Sequence, residues 1–90
     1  MPTTMFPLGK AVMTKGVEGL LSRHEITQLL FRHTGGDWGD LVQSDKDLND
    51  QALESGEGRI FSSYETEKGK VWVITEHDRS VTTVLLPSEY

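Results

Sequence analysis

Cysteine is absent from the 90-residue chain, and with it go disulfides, thiolate nucleophiles and cysteine-ligated zinc, which fits a reducing compartment. Also missing is any apolar run near the roughly 18 residues that suggest a membrane helix. The opening "MPTTMFPLGK" has neither the basic start nor the long apolar centre of a signal peptide. These absences set the expectation of a cytoplasmic protein without a membrane partner. Positive charge is scarce, since nine Lys and Arg stand against 14 Asp and Glu, a net charge of −5. Sequence-independent nucleic-acid binding draws most of its affinity from neutralised phosphates, so the balance argues against DNA or RNA and for a protein partner with a basic surface. The length leaves room for one core only. Residues 1–90 are therefore read as a single domain, with 1–7 expected to be flexible.

What is present is ordered in segments. "LGKAVMT", Leu8 to Thr14, alternates loosely and predicts a short strand near 10–14. Thr14 offers a cap to a brief helical turn through Val17, Leu20 and Leu21, weakened by Gly16 and Gly19. "SRHE" places Ser22 three residues before Glu25, a capping box, and Ile26, Leu29, Leu30 and His33 then recur at helical spacing. A helix over 23–33 follows, ending where Gly35 is expected to turn left-handed. "SDKD", Ser44 to Asp47, repeats the capping pattern and opens a second helix over 45–54, with Leu48, Ala52 and Leu53 as its apolar positions and Gly56 and Gly58 at its end.

Beyond Gly58 the period changes to two. "RIFSSYET", "KVWVITE" and "SVTTVLLP" are rich in β-branched and aromatic residues and predict strands over 59–66, 71–76 and 81–86, with "EKGK" as a hairpin turn and Pro87 as a stop. The expected architecture is α+β: an antiparallel β-meander plus an N-terminal strand, with two or three short helices packed on one face. Its core is expected to hold Ile26, Leu29, Leu30, Ile60, Trp72, Ile74, Val84 and Leu86. Val71, Val73, Thr75, Thr83 and Leu85 would then line a second face which, if bare, favours a homodimer or a docked partner.

Three stretches carry candidate chemistry. Residues 37–57 hold Asp37, Asp40, Asp45, Asp47, Asp50, Glu54 and Glu57 against Lys46 alone, a local charge of −6. Asp45, Asp47 and Asn49 match the first positions of a calcium loop, but Asp50 stands where glycine is required and Gly56 where a bidentate glutamate is required. Acids in a first helical turn explain the same residues, and no metal or cofactor is expected. "TEHDRS", Thr75 to Ser80, contains every residue type of a hydrolase triad, yet His77, Asp78 and Ser80 are too close in sequence for the usual relay. A strand connection closed by Asp78 and Ser80 is the plainer reading. The alternative is a metal-independent hydrolase or nuclease built from Glu76, His77, Asp78 and Arg79 with His24 or His33 brought near. Trp38, between the glycines of "GGDWGDL", reads either as an exposed anchor or as a ring folded back under a sharp turn; burial of most of it is favoured.

Together "GDWGDL", "GRIFSSYET", "VWVITEHDRSVTTVLLPSEY" and "LGKAVMT" resemble a family of small bacterial proteins carried on plasmids, prophages and integrative elements. These are often labelled plasmid-related proteins or, by genomic neighbourhood, type I restriction subunits. The resemblance spans nearly the whole chain and departs at His77, where a form closer to "TEADRS" is expected. It implies a mobile-element context, where small acidic domains commonly bind a host or defence protein; with the failed spacings above, the expectation is a non-catalytic, anti-defence accessory protein that binds a host-defence or DNA-processing component. The acidic middle would make that contact, through Asp37, Trp38, Asp40, Asp45, Asp47, Asp50 and Glu54.

Overall fold

The computed structural model of the protein describes residues 4–90. Strand β1 (Lys10–Met13) leads into helix α1 (Lys15–Leu20), capped by the Thr14 hydroxyl, and then into α2 (Arg23–Thr34). The capping box of α2 forms in both directions: the Ser22 hydroxyl accepts from Glu25 N–H, and the Glu25 carboxylate accepts from Ser22 N–H. At its far end Gly35 stays right-handed and Gly36, at φ +85°, takes the left-handed step expected of its neighbour. Helix α3 (Gln43–Ser55) begins earlier than expected. Val42 is its N-cap and no side chain caps it, so Ser44 is already inside the first turn and its capping box does not form. Gly56, left-handed, ends it as expected.

Strands β2 (Ile60–Thr66), β3 (Gly69–Thr75) and β4 (Val81–Leu85) form the antiparallel meander, followed by a short 3-10 turn, Pro87–Glu89. The α+β class holds, but the sheet is mixed: its order is β1-β4-β3-β2, and β1 runs parallel to β4. The reason is topological. Helices carry the chain back across the sheet between β1 and β2, so β2 and, two antiparallel steps later, β4 repeat the direction of β1.

The face that meets the helices also differs from expectation. Val71, Val73, Val84 and Tyr64 pack with Val17, Leu21, Ile26 and Leu29, while Trp72 and Ile74 point to the other side with Phe61 and Leu85. Ile26, Leu29, Ile60 and Val84 are buried as expected, whereas Leu30, Leu86 and Trp72 are only partly buried. β3 is apolar on both faces, so alternation does not say which side is inner; slim valines let the helix backbones come close, and the bulky indole is displaced outward. The second face is not left bare. Phe61 and Tyr90 lie edge-on to Trp72 at 5.0 and 5.7 Å, and Ile74 and Leu85 beneath are buried.

The N-terminal segment was expected to be flexible over 1–7. Residues 1–3 of that span lie outside the described residues, and from Met5 the chain is docked: Met5 N–H donates to the Thr34 carbonyl, and Phe6 is buried against His33 and Trp38.

Candidate partner-binding surface

The loop after α2 is built around Asp37. Its carboxylate accepts from Arg32 Nε at 2.7 Å and from Gly39 N–H at 3.1 Å, and the guanidinium beside it holds its pKa below the usual carboxylate range. Arg32 also lies over the Tyr64 ring, whose hydroxyl donates to the Asp37 carbonyl at 2.6 Å. Burial pushes that phenol up to about 12. Two residues on, Gly39 at φ +73° lies so close to β2 that a Cβ would fall 2.0 Å from the Ser63 carbonyl oxygen. This contact lets Ser63 N–H donate to the Trp38 carbonyl and Asp40 N–H donate to the Ser63 carbonyl. Trp38 is turned inward, as its flanking glycines favoured, and so does not serve among the partner-contacting residues: it is 6% exposed, stacked near Phe6 and edge-on to His33. With glycines on both sides of "DW" the backbone turns sharply and the indole joins Ala52 and Ile60 in a second small core.

Helix α3 is fixed to the same sheet edge. Asn49, 2% exposed, donates to the Phe61 carbonyl at 2.6 Å and accepts from Phe61 N–H at 3.0 Å, so one amide side chain replaces the pairing of a missing strand. Ala52 is buried next to it against Ile60. The calcium-like spacing therefore lies on a helix, where Asn49 is directed away from Asp47 and its amide is taken up by Phe61. With Asn49 inward, Asp47, Asp50 and Glu54 recur at i, i+3 and i+7 along the solvent side; Asp40, before the helix, and Asp45, in its first turn, are exposed as well. Among the described residues these five carboxylates form no ion pair; of the acidic middle only Asp37 does. Val42 and Leu48 add apolar surface at 65% and 60% exposure. Leu48, one of the expected apolar positions of this helix, is left exposed on its flank, one turn before the buried Ala52.

The "TEHDRS" residues sit in a turn between β3 and β4. Asp78 accepts from the N–H and hydroxyl of Ser80, which lowers its pKa and closes the turn as expected. Arg79 is held at φ +61° and donates to the carbonyls of Ala52, Gly58, Glu76 and His77, at 2.6 to 3.2 Å. Its guanidinium is spent clamping the end of α3 to this turn and does not face an open cleft. Glu76 pairs with Arg59, and His77 is exposed. His24 is exposed at the start of α2, and His33 bonds to Ser62 and Thr75, so neither histidine joins this group.

Sequence reasoning missed a buried polar chain. Thr82 donates to the Leu8 carbonyl, so Thr75 donates to Thr82, His33 donates through Nε2 to Thr75, and Ser62 donates to His33 Nδ1. The fixed acceptor at Leu8 thereby places a proton on His33 Nε2, and burial, which disfavours the cation, leaves Nδ1 free to accept from Ser62. His33, Ser62, Thr75 and Thr82 are all 0% exposed, and burial lowers the His33 pKa to about 3. The Ser62–His33 pair thus resembles a nucleophile and base but has no access to substrate. The signal for it was the small polar residues at inward strand positions. No three His, Asp or Glu among the described residues converge in a way that could hold a metal ion, and no helix is long and apolar enough to cross a membrane. Compared with known protein families, curated proteins and solved structures, the chain matches none.

Proposed function

We propose that this is a non-catalytic accessory protein that binds another protein through the outer face of α3, with a basic groove or ridge as the partner surface. The observation that carries the reading is the unpaired row Asp47, Asp50 and Glu54 on a helix whose inner side is pinned by Asn49. Carboxylates held at fixed spacing attract cations at a distance and select their register, while Val42 and Leu48 supply the apolar contact that charge alone lacks. The mobile-element context implied by the family resemblance makes a host-defence or DNA-processing component the partner of choice. With Trp38 inside the fold, the anchor role passes to Leu48.

Affinity capture from a bacterial host lysate tests this with wild type and an Asp47→Asn/Asp50→Asn/Glu54→Gln variant at low and raised salt. The expected result is a specific protein captured by wild type, retained at least ten-fold less by the variant and weakened by salt. Equal, salt-insensitive capture by both, or retention of nucleic acid alone, contradicts the reading.

A further inference from the structure

The two edges of the sheet differ. Along β2, Trp38, Asp40 and Asn49 occupy the outward main-chain groups of Ser63 and Phe61. Along β1, at the other edge, no strand or side chain among the described residues does so. Lys10 N–H donates to Ser80 and Thr14 N–H to Val84, which turns the amides of this parity toward β4. The N–H and carbonyl groups of Ala11 and Met13 therefore point outward. Beside them, on the helix side, Met13, Leu21 and Ile26 floor an open hollow of about 370 Å³ with Glu18 and Arg23 at its rim. Lys10, Lys15 and Arg23 surround this edge and form no ion pair among the described residues; they outnumber Glu18 at the hollow's rim and Glu89, whose carboxylate accepts from Thr14 and Gly16, so on a chain of net charge −5 this edge has a slight basic excess.

We infer that the open edge of β1 is a strand-addition site for an extended acidic segment of a partner protein. That segment pairs its main chain with Ala11 and Met13, sets one apolar side chain in the hollow and turns its carboxylates toward Lys10, Lys15 and Arg23. A second copy of this chain fits poorly. The strand has four residues, well short of the roughly 800 Å² per partner of a standard interface, and self-pairing brings Lys10 of one copy toward Lys15 of the other. A short strand bearing lysine discourages like edges from pairing, and the same lysine attracts an acidic strand. The site lies at the opposite edge of the sheet from α3 and stands independently of the function proposed for that helix.

The test titrates ¹⁵N-labelled protein with a doubly capped peptide, Asp-Glu-Val-Thr-Leu-Thr-Val-Glu, and with its counterpart in which lysine replaces each acid. Expected are saturable amide shifts confined to residues 10–14 and the hollow, and slower hydrogen exchange at Ala11 and Met13. Affinity should fall at least ten-fold with the lysine peptide and in Arg23→Glu, and vanish in Ala11→Pro, which removes an outward N–H while sparing the bonds to β4. Met13→Glu, which sets a carboxylate beside the hollow, should also weaken binding and serves if the proline variant does not fold. The inference is overturned by no saturable shift at millimolar peptide, by shifts centred on α3 or Trp72, by equal binding of the lysine peptide, or by self-association through this edge.

Discussion

His33 shows how one residue ties the fold together. It ends the apolar stripe of α2, yet its ring meets Ser62, Thr75, Phe6 and Trp38, so helix, sheet and N-terminal segment share a single neutral imidazole. The periodicity made its inward direction legible. Its partners were not, because they come from strands 29 and 42 residues away, and a one-sequence pattern carries no register between distant elements. Protonation would force Ser62 to turn and leave a buried charge without a counterion. With a folded pKa of about 3 against an unfolded value near 6.5, the native state binds fewer protons throughout that interval. The contribution of His33 is therefore complete above about pH 6.5 and is lost as pH falls toward 3. Urea unfolding should show a stability loss of about 2 kcal/mol from this group between pH 7 and pH 5, above the range where the paired carboxylates of Asp37 and Glu89 begin to matter. A flat profile over that interval would remove the neutral, buried histidine.

At the scale of elements, α2 was legible in its extent because its capping box and stripe agree with one another, although the left-handed step falls at Gly36 and not at Gly35. α3 was legible in position but not in orientation. Its few apolar residues, Leu48, Ala52 and Leu53, do not define a face, and Asn49 decides the matter by bonding an edge strand that sequence alone does not locate. The strands were found by their period of two, while the inner face of β3 was not, since both its sides are apolar. Because Asn49 satisfies two main-chain groups of Phe61, Asn49→Ala should cost about 1–3 kcal/mol and bare the β2 edge, raising the tendency to associate. Asn49→Asp keeps an acceptor for Phe61 N–H but sets a carboxylate against the Phe61 carbonyl, so it should be destabilised as well. Thermal melts and light scattering of both variants check this. Wild-type melting with no added association would mean that α3 is held by Ala52 and its neighbours alone.

Across the whole molecule the charges are sorted. Exposed pairs such as Arg59–Glu76, Lys68–Glu25 and Lys70–Glu65 cancel locally and contribute little to stability. The unpaired acids of α3 lie along the β2 edge, while around β1 Lys10, Lys15 and Arg23 outnumber Glu18 and Glu89, leaving one end of this small domain acidic and the other slightly basic. Composition gave the sign of the net charge and the glycines around "DW" favoured a buried Trp38; only the fold shows that the carboxylates beyond it form a row. The account's central claim is that this row meets a partner, and carboxylate footprinting with a water-soluble carbodiimide and glycine ethyl ester reads each acid separately in the free protein and in the captured complex. Asp47, Asp50 and Glu54 should lose at least ten-fold of their labelling in the complex, while Glu65 and Glu67, at the far end of the β2–β3 hairpin, keep theirs. Unchanged labelling of the α3 carboxylates, with protection elsewhere, would contradict it.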